Sequence, residues 1–501
     1  MKNKTGVCRA LLLVGMGLMI PCYLFTAGNT LLSPWPLYDR NRLALCLLTP
    51  LCLLLLLLLG RAAKAKVFET HERAVLLGFA AFYFVIQLVM ASALRFTPVT
   101  DLEQCVTAAR RLAQTGAFGD SERSLIYFGR YPHNMGLVYL LAGIFKAADA
   151  LGADALMAAA LVCGLLFSMG LLCAARLCRR LGGAQAQARA LLLFATCLPF
   201  LYCTSELYTD AFSVAFAPMI VFAFLKARDA GSRKERSLWA LLFAVCTFFG
   251  AQIRFPTIIA AIACLIAALF EKRAKLTALL AAPLALVFAV GGSAVNAANK
   301  ANLGAANIAQ NKLPKLHYIA MGLPVQSDEG YGQYGYGGWL IFSTSFDDPQ
   351  ARDEALRQEV VDRAYTLAHH PAQLLSTLSR KNLSTFGRGT FNLNEIFEAD
   401  AHEADNAVKQ AVFENGRFNR AYTHLATAMF VAQMALACIA CIQAIRRRDT
   451  RAAPLFLTLL GAFLFLSIWE TRARYFFQFM MILLCAGAMF ETPSTHAAQK
   501  A

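Results

Sequence analysis

The chain has 501 residues and a formal net charge of +16, from 47 Lys and Arg against 31 Asp and Glu; 58% of its residues are hydrophobic and only 16% are charged. Its mean hydropathy is +0.51. Soluble domains average about 45–50% apolar and about 25% charged residues, so this composition excludes soluble, disordered and fibrous classes. The basic residues fall in short clusters between apolar runs, as in membrane proteins, and do not indicate a nucleic-acid partner.

Fifteen cysteines are present, and most of them lie inside apolar runs. No CxxC is followed by a second CxxC or by a pair of histidines. Cysteine in such a setting acts as a small apolar residue, so the pattern favours neither a disulfide framework nor a zinc site.

A membrane-spanning helix needs about 20 apolar residues, and the sequence contains about twelve runs of this kind. The runs lie near residues 8–28, 43–60, 74–95, 153–175, 190–204, 208–225, 238–253, 256–270, 276–298, 423–445, 453–470 and 474–490. The first run follows Lys2 and Lys4 and lacks a convincing cleavage site, so it predicts a retained anchor and not a signal peptide. We therefore predict an all-α polytopic membrane protein with about 12 transmembrane helices.

Basic clusters indicate the orientation of these helices. With the N-terminus on the cytoplasmic side, the loops on that side contain Arg61, Lys64 and Lys66; Arg176, Arg179 and Arg180; Arg228, Arg233, Lys234 and Arg236; Lys272, Arg273 and Lys275; and Arg446, Arg447, Arg448 and Arg451. This arrangement requires residues 134–150 to form a re-entrant or interfacial helix that does not cross the bilayer. It predicts a multi-pass protein of the cell membrane with both termini cytoplasmic.

The same topology divides the chain into three regions. They are an N-terminal transmembrane region, 1–298, which includes a first outer loop, 96–152; an extracytoplasmic segment of mixed structure, 299–422; and C-terminal transmembrane helices, 423–501. Within the middle segment the glycine-rich residues 331–339 predict a loop, because glycine accepts tight and left-handed turns. Residues 349–369 predict a helix.

Polar and ionisable residues gather at the predicted outer ends of the spans, where their cost in lipid makes them functional candidates. The candidates are Asp101, Glu103, Arg130, Tyr131, His133, Asn134, Glu206, Asp210, Arg254, Lys381, Glu470, Arg472 and Arg474.

Asp101 opens a predicted amphipathic helix just after the third apolar run. The apolar residues of this helix recur at spacings of three and four: Leu102, Cys105, Val106, Ala109, Leu112 and Ala113. Two interpretations stay open. Asp101 either caps the helix, or it is an active-site carboxylate, with or without help from Glu103.

The residues around Pro132 suit a phosphorylated sugar. The Arg130 guanidinium can bind an oxyanion through two hydrogen bonds, and aromatic rings such as Tyr131 stack on sugar faces. His133 and Asn134 follow at the start of the non-crossing helix. A single histidine at such a place is either a hydrogen-bonded interface residue, or a base or metal ligand.

The remaining candidates also have two interpretations each. Glu206 and Asp210 lie one helical turn apart and either bind a metal or sugar hydroxyls, or cap a span and pair with Arg254. The outer arginines Arg254, Arg472 and Arg474 oppose the positive-inside trend and indicate either an anionic ligand or an ion pair with Glu470. Lys381 is a weaker phosphate-binding candidate, because basic residues at helix ends often extend to the interface.

The arrangement resembles the GT-C superfamily of integral-membrane glycosyltransferases, in particular the bacterial branch related to protein O-mannosyltransferases and lipid A aminoarabinose transferases. The similarity rests on the sequence Thr97-Pro-Val-Thr-Asp101 beyond an early span, on Tyr131-Pro-His-Asn134 at the start of an outer helix, and on a late outer segment. In this sequence two spans precede the one that leads to Asp101, and Leu102 separates Asp101 from Glu103.

This resemblance implies a polyprenyl-phosphate-linked sugar donor, a glycan, lipid or protein acceptor, and a site at the extracytoplasmic face within the lipid membrane. Asp101 would be the catalytic carboxylate and the outer arginines would contact the lipid phosphate. No cofactor is indicated with certainty, and assistance by a divalent metal stays open. The alternatives are a transporter or flippase, or a polymerase, of lipid-linked glycans.

Overall fold

The computed structural model describes residues 2–33, 41–63, 65–94, 97–119, 121–326, 329–393 and 406–491. All regular structure in these ranges is helical. The N-terminal region contains α1 (Lys2–Gly17), α2 (Met19–Leu32), α3 (Arg42–Ala62), α4 (Ala65–Ala93), α5 (Thr100–Thr115), α6 (Glu122–Arg130), α7 (Met135–Ala150), α8 (Ala155–Ala195), α9 (Thr209–Ser213), α10 (Phe216–Asp229), α11 (Arg233–Ile253), α12 (Ile258–Phe270) and α13 (Ala274–Leu303).

The rest of the described chain continues the helical pattern. It contains α14 (Ala305–Asn311), α15 (Lys315–Gly322), α16 (Trp339–Thr344), α17 (Pro349–His369), α18 (Pro371–Phe386), α19 (Ala407–Val412), α20 (Asn419–Arg446), α21 (Ala453–Ile468) and α22 (Met480–Ala488). The helix predicted over 349–369 is α17, and Asp348 caps it by accepting bonds from the Gln350 and Ala351 amides. The segment expected to be of mixed structure is helical wherever it is regular and described.

Eight helical stretches in the described ranges are long and apolar enough to cross a membrane, and three shorter apolar helices, Phe255–Phe270, Ala453–Ile468 and Ala473–Ala488, accompany them. The expected all-α polytopic architecture is therefore confirmed. On α3, Leu47, Leu51 and Leu58 are each more than half exposed. Such a leucine stripe fits contact with lipid, because it would be an aggregation hazard in water.

The apolar run expected near 190–204 does not form a helix of its own. Its first residues belong to α8, which is broken at Gly183, where φ is 75° and ψ is −169°. Beyond α8 the chain continues in two short 3₁₀ turns, Leu198–Leu201 and Cys203–Ser205. Glycine permits the positive φ at the break, and Pro199 ends the regular α-helix because it lacks an amide donor.

Two short helices follow the sequence expectation closely. On α5, the residues Leu102, Cys105, Val106 and Ala109 are buried, so the predicted apolar face is the one that packs inward. The non-crossing helix expected at 134–150 is α7, preceded by a 3₁₀ turn over Pro132–Asn134. At 1.5 Å per residue its 16 residues extend about 24 Å, less than the roughly 30 Å of a bilayer core.

The basic clusters meet at one end of the helix bundle, which we call the basic end. Arg180 pairs with Asp229 at 3.0 Å, Arg228 with Glu271 at 3.7 Å and Arg179 with Glu72 at 3.4 Å. These contacts join the N-terminal part of α4, the part of α8 just before its break at Gly183, and the C-terminal ends of α10 and α12. Clustering at one end is the arrangement that the loop charges predicted, while the side of the membrane on which this end lies stays a prediction.

The core consists of apolar side chains packed between the long helices. All fifteen cysteines are free thiols; eleven are buried and the other four are half-buried. Gly170 of α8 lies against Ala215, where an added Cβ would be 2.6 Å from the Ala215 Cα. Small residues allow helices to approach this closely within a membrane bundle.

Candidate functional site

Asp101 lies at the N-terminal end of α5, opposite to the basic end of the bundle. Thr100 directly before it has a φ of 52°, a conformation that β-branched residues rarely adopt. The Tyr127 hydroxyl donates to Oδ1 of Asp101 at 2.8 Å, and the Tyr208 hydroxyl donates to Oδ2 at 3.4 Å. No side chain caps α5, so the Asp101 carboxylate faces neighbouring elements and not its own helix end.

Burial raises the pKa of the Tyr127 phenol and of the Tyr208 phenol above the ordinary value. Both hydroxyls therefore stay protonated and act as donors to the carboxylate. Asn134 donates to the Tyr127 hydroxyl at 2.9 Å and completes the chain of hydrogen bonds. The Asp101 side chain remains 44% exposed, so it is positioned by two tyrosines and still accessible to a substrate.

Asp210 forms the buried centre of the charged cluster. Its side chain is fully buried, with Arg254 Nε 2.9 Å from Oδ1 and Arg474 Nε 3.3 Å from Oδ2. Arg474 also reaches towards Asp101, with Nη2 3.9 Å from Oδ2. Of the two interpretations of Asp210, the structure shows the pair with Arg254, and it adds Arg474 as a link between the two aspartates.

Tyrosine rings hold these two guanidinium groups in place. Arg254 lies 4.3 Å from the centre of the Tyr475 ring, and Arg474 lies 5.3 Å from that of Tyr208. Arg254 also donates to the Thr209 hydroxyl at 2.6 Å. A cation over an aromatic face is attracted by the electron-rich ring, so each arginine has a fixed direction.

Two of the carboxylates predicted for this site lie outside the cluster. Glu103 is exposed on α5, and no ion pair or hydrogen bond joins its side chain to Asp101 or Asp210 among the described residues. Glu206 is buried near Cys163, Cys203 and Tyr202. Leu207, with a φ of 50°, separates Glu206 from the helical turn that carries Asp210.

An aromatic wall stands beside the charged cluster, formed by Tyr131, His133, Tyr318, Tyr334 and Trp469. The Tyr131 and Tyr334 hydroxyls are 2.9 Å apart. The rings of Tyr318 and Trp469 are stacked with centres 5.1 Å apart, and the exposed His133 ring lies 6.4 Å from Tyr318. Tyr131 of this wall directly follows Arg130 in the chain, and flat rings of this kind suit a sugar face.

The glycine-rich loop brings Tyr334 to the site. The loop is attached to the connection between α21 and α22, where the Thr471 amide donates to the Gly332 carbonyl at 2.8 Å and Arg472 donates to the Tyr334 carbonyl at 3.4 Å. Glu329 fixes the beginning of the loop, because it accepts from the Val325 and Gln326 amides and pairs with Arg363 at 2.6 Å.

Lys381 and Glu470 lie beneath the loop. The Lys381 ammonium is buried and donates to the carbonyls of Gly322 and Trp469. Burial lowers the pKa of Lys381 to about 7. Lys381 thus holds α15 against the end of α21, and its ammonium is directed at backbone carbonyls and not towards the opening of the site.

Glu470 accepts a hydrogen bond from the Tyr475 hydroxyl. Burial raises the pKa of Glu470 to about 7, although Arg472, Arg474 and Arg254 are close enough to favour the ionised form. Glu470 is therefore the acidic group of the site whose charge changes near neutral pH.

The cluster does not fit a divalent metal ion. Both oxygens of Asp210 face guanidinium groups, so of the two aspartates only Asp101 could supply a ligand, whereas such ions usually take several oxygen ligands. Among the described residues no group of three or more His, Cys, Asp or Glu side chains is arranged to hold a metal.

Several site residues are not among the sequence candidates: Tyr127, Tyr208, Tyr318, Tyr334, Trp469 and Tyr475. Tyr208, Trp469 and Tyr475 lie in apolar runs, where aromatic residues are ordinary core components, and no local motif singles out Tyr127 or Tyr318 in the outer segments. For Tyr334, the glycine-rich stretch 331–339 was the available signal, because loops often carry binding residues.

The fold and site define a helical polytopic membrane protein with a charged, aromatic-lined site at one end. A family model described as a conserved hypothetical integral membrane protein matches residues 41–495, and the chain belongs to that family of integral membrane proteins.

Among solved structures, the chain is similar to the crystal structure of ArnT from Cupriavidus metallidurans bound to undecaprenyl phosphate. The two are 13% identical over 83% of this chain and 78% of that chain, with a TM-score of 0.36. A search among curated proteins finds no match.

Proposed function

We propose that the protein is a membrane glycosyltransferase that moves a sugar from a polyprenyl-phosphate donor to an acceptor, with Asp101 as the general base. The proposal rests mainly on the surroundings of the Asp101 side chain. This carboxylate is accessible, is oriented by two protonated tyrosines, and lies beside a cluster of arginines in a polytopic membrane protein.

The chemistry needs one proton acceptor. Asp101 takes the proton of the acceptor hydroxyl while that oxygen forms a bond to the anomeric carbon, and the bond from this carbon to the phosphate oxygen breaks. The phosphate leaves as an anion and needs little protonation, so one carboxylate suffices where glycosidases use two. A single in-line displacement inverts the anomeric carbon.

The basic side chains supply the phosphate contacts. Arg254 and Arg474 are only 13% and 11% exposed, and both pair with Asp210. Their main contribution is therefore the positive electrostatic potential of the site. Arg130 and Arg472 are half-buried at its edge. We assign to them the contacts with the departing phosphate, because fixed positive charge there would stabilise the developing negative charge.

In this proposal the sugar binds against the aromatic wall, and the polyprenyl chain lies in the lipid membrane. Tyr131, which is close enough to Asp101 to interact with its charge, and its hydrogen-bonded neighbour Tyr334 are the rings that we assign to the sugar. With the basic end in the cytoplasm, as the positive-inside rule predicts, the site opens at the extracytoplasmic face.

Sugar transfer by the purified full-length protein tests this proposal. Wild type, Asp101→Asn and Glu103→Gln are compared with a panel of polyprenyl-phosphate sugars, using membrane extract as the acceptor. Glu103→Gln is the matched control, because it removes an exposed carboxylate from the same helix. We expect Asp101→Asn to lower the rate by about 10²-fold or more and Glu103→Gln to leave it within about twofold.

Equal rates for Asp101→Asn and wild type would assign the base to another group. If no donor is used, but reconstituted protein moves a lipid-linked glycan across vesicles, the protein is a transporter. Transfer of whole glycan chains and not of single sugars would indicate a polymerase.

A further inference from the structure

A cavity lies at the basic end, far from Asp101. Its volume is about 450 Å³, within the range of ligand pockets. Among the described residues, four cationic side chains line it, namely Arg176, Arg179, Arg180 and Lys226, and Glu72 is the acidic one.

Three of the four cations already face a carboxylate. Arg179 pairs with Glu72 at 3.4 Å, Arg180 with Asp229 at 3.0 Å, and Lys226 with Glu235 at 3.7 Å. Arg176 has no ion pair or hydrogen bond among the described residues, and it is exposed on α8. Arg176 is therefore the lining cation that has no carboxylate partner among the described residues. Ion pairs hold the other three cationic side chains in position.

The opposite wall of the cavity is aromatic. The rings of Phe222 and Trp239 meet edge to face with centres 5.8 Å apart, and Lys226 Nζ lies 5.1 Å from the centre of the Trp239 ring. Aromatic rings of this kind can pack against the glycerol and the first carbons of an acyl chain. A free inorganic anion has no apolar surface for such packing.

An apolar stripe leads from the cavity along α8. Leu161, Leu165 and Met169 are 42%, 48% and 52% exposed. The steps from Leu161 to Leu165, to Met169 and to Arg176 are four, four and seven residues, which are close to whole turns of an α-helix. The four side chains therefore lie on one face of α8. The stripe therefore provides a surface for a hydrocarbon chain that ends at Arg176.

We propose that this cavity binds the phosphate headgroup of an anionic phospholipid, with the acyl chains along Leu161, Leu165 and Met169. Arg176 is the specific phosphate contact, and the paired cations around it provide a positive field. Other basic residues at the same end, such as Arg233, are exposed without lining the cavity. Ordinary positive-inside loop charge accounts for Arg233 but not for the cavity, its aromatic wall or the stripe.

Native mass spectrometry of the purified full chain in detergent tests the proposal. The protein is titrated with phosphatidylglycerol or with phosphatidylcholine of the same acyl chains, and the Arg176→Gln and Arg233→Gln variants are compared. We expect phosphatidylglycerol to be retained preferentially, and Arg176→Gln to weaken its binding about fivefold, the effect of one basic residue near an anionic lipid. Arg233→Gln should remain within about twofold of wild type, since its charge does not line the cavity.

Two further measurements distinguish binding of a lipid from binding of a free anion. Inorganic phosphate at equal concentration should not displace phosphatidylglycerol, and Leu165→Gln should weaken lipid binding while leaving the thermal midpoint unchanged. Equal binding of the two lipids, equal behaviour of the two arginine variants, or displacement by inorganic phosphate would overturn the proposal. Sugar transfer is not measured, so the result is independent of the proposed activity.

Discussion

Asp101 and Asp210 face the same guanidinium, that of Arg474, but they lie in different surroundings. Asp101 is 44% exposed, whereas the side chain of Asp210 is fully buried between two arginines. An exposed carboxylate can exchange a proton with a substrate, while a buried one compensates charge. Under the proposed function, Asp101 would take part in the reaction and Asp210 would compensate the charge of the arginines.

Removal of the Asp210 charge should destabilise the protein strongly. Asp210→Asn removes the carboxylate that Arg254 and Arg474 share and leaves Arg474 only its longer contact with Asp101, which costs about 3–5 kcal/mol of unfolding free energy. Asp229→Asn breaks an ion pair with Arg180 at the basic end, where the side chains are 34% and 38% exposed, and should cost less than about 1 kcal/mol. Reversible unfolding in mixed micelles measures both values, and equal costs would contradict the assigned role of Asp210.

Glu470 should make stability depend on pH. Its pKa in the folded protein is about 7, against an ordinary value of 4.5. Between these two values the folded state binds a proton that the unfolded state does not, so the unfolding free energy falls as the pH rises towards 7.

Thermal midpoints measured from pH 5 to pH 7 check this dependence. The midpoint of wild type should fall relative to that of Glu470→Gln, which cannot ionise, over this interval. Glu103→Gln, which removes an exposed carboxylate, should follow wild type throughout. Parallel curves for wild type and Glu470→Gln would show that Glu470 keeps its ordinary pKa.

The contact between α7 and α11 brings the Tyr131–Asn134 region towards Arg254. At Gly136 an added Cβ would overlap the carbonyl oxygen of Gln252, two residues before Arg254. At Gly143, seven residues later on α7, no atom lies within 4 Å of the added Cβ. The same helix therefore contains a glycine required by packing and one that is not.

These glycines give a matched pair of variants. Gly136→Ala should cost about 1–3 kcal/mol through overpacking and lower sugar transfer, because α7 and Arg254 are displaced relative to each other. Gly143→Ala should stabilise the protein by about 0.5–1 kcal/mol, since alanine is the better helix former. Unfolding and transfer assays on both variants check this, and a destabilised Gly143→Ala would contradict the packing argument.

Local patterns in the sequence predicted the elements well where one helix face decides the structure. The apolar spacing on α5 and the proline before α7 both indicated the observed helices. Long-range partners were not predictable, because no local pattern links Lys381 to the carbonyls of Gly322 and Trp469, which are 59 and 88 residues away. In the same way, the sequence indicated Asp101, Asp210 and Arg474 as candidate site residues. It could not predict that their side chains lie together, because this depends on how the spans pack.

At the scale of the whole molecule, the two ends of the bundle differ in charge pattern. The basic end contains the loop clusters, and the other end contains the aspartates, arginines and aromatic wall. The basic end also contains the cavity lined by Arg176. If both proposals hold, one membrane leaflet supplies the substrate and the other supplies a bound phospholipid.

Protease sites inserted into two loops should report the orientation. One site lies between Gly231 and Ser232 at the basic end, and the other between Ser345 and Phe346 on the side of the candidate site. In inverted membrane vesicles we expect cleavage only at the first, because basic loops stay in the cytoplasm. Cleavage only at the second would reverse the orientation and place the site in the cytoplasm.

The burial of the thiols has a practical consequence for spectroscopy. Because eleven of the fifteen cysteines are buried and none is fully exposed, a maleimide dye should react far faster with a single cysteine introduced in a loop, for example by Ser232→Cys. Fluorescence energy transfer between two such labels could then follow movements of the glycine-rich loop in the otherwise native chain. No cysteine-free background would have to be built first.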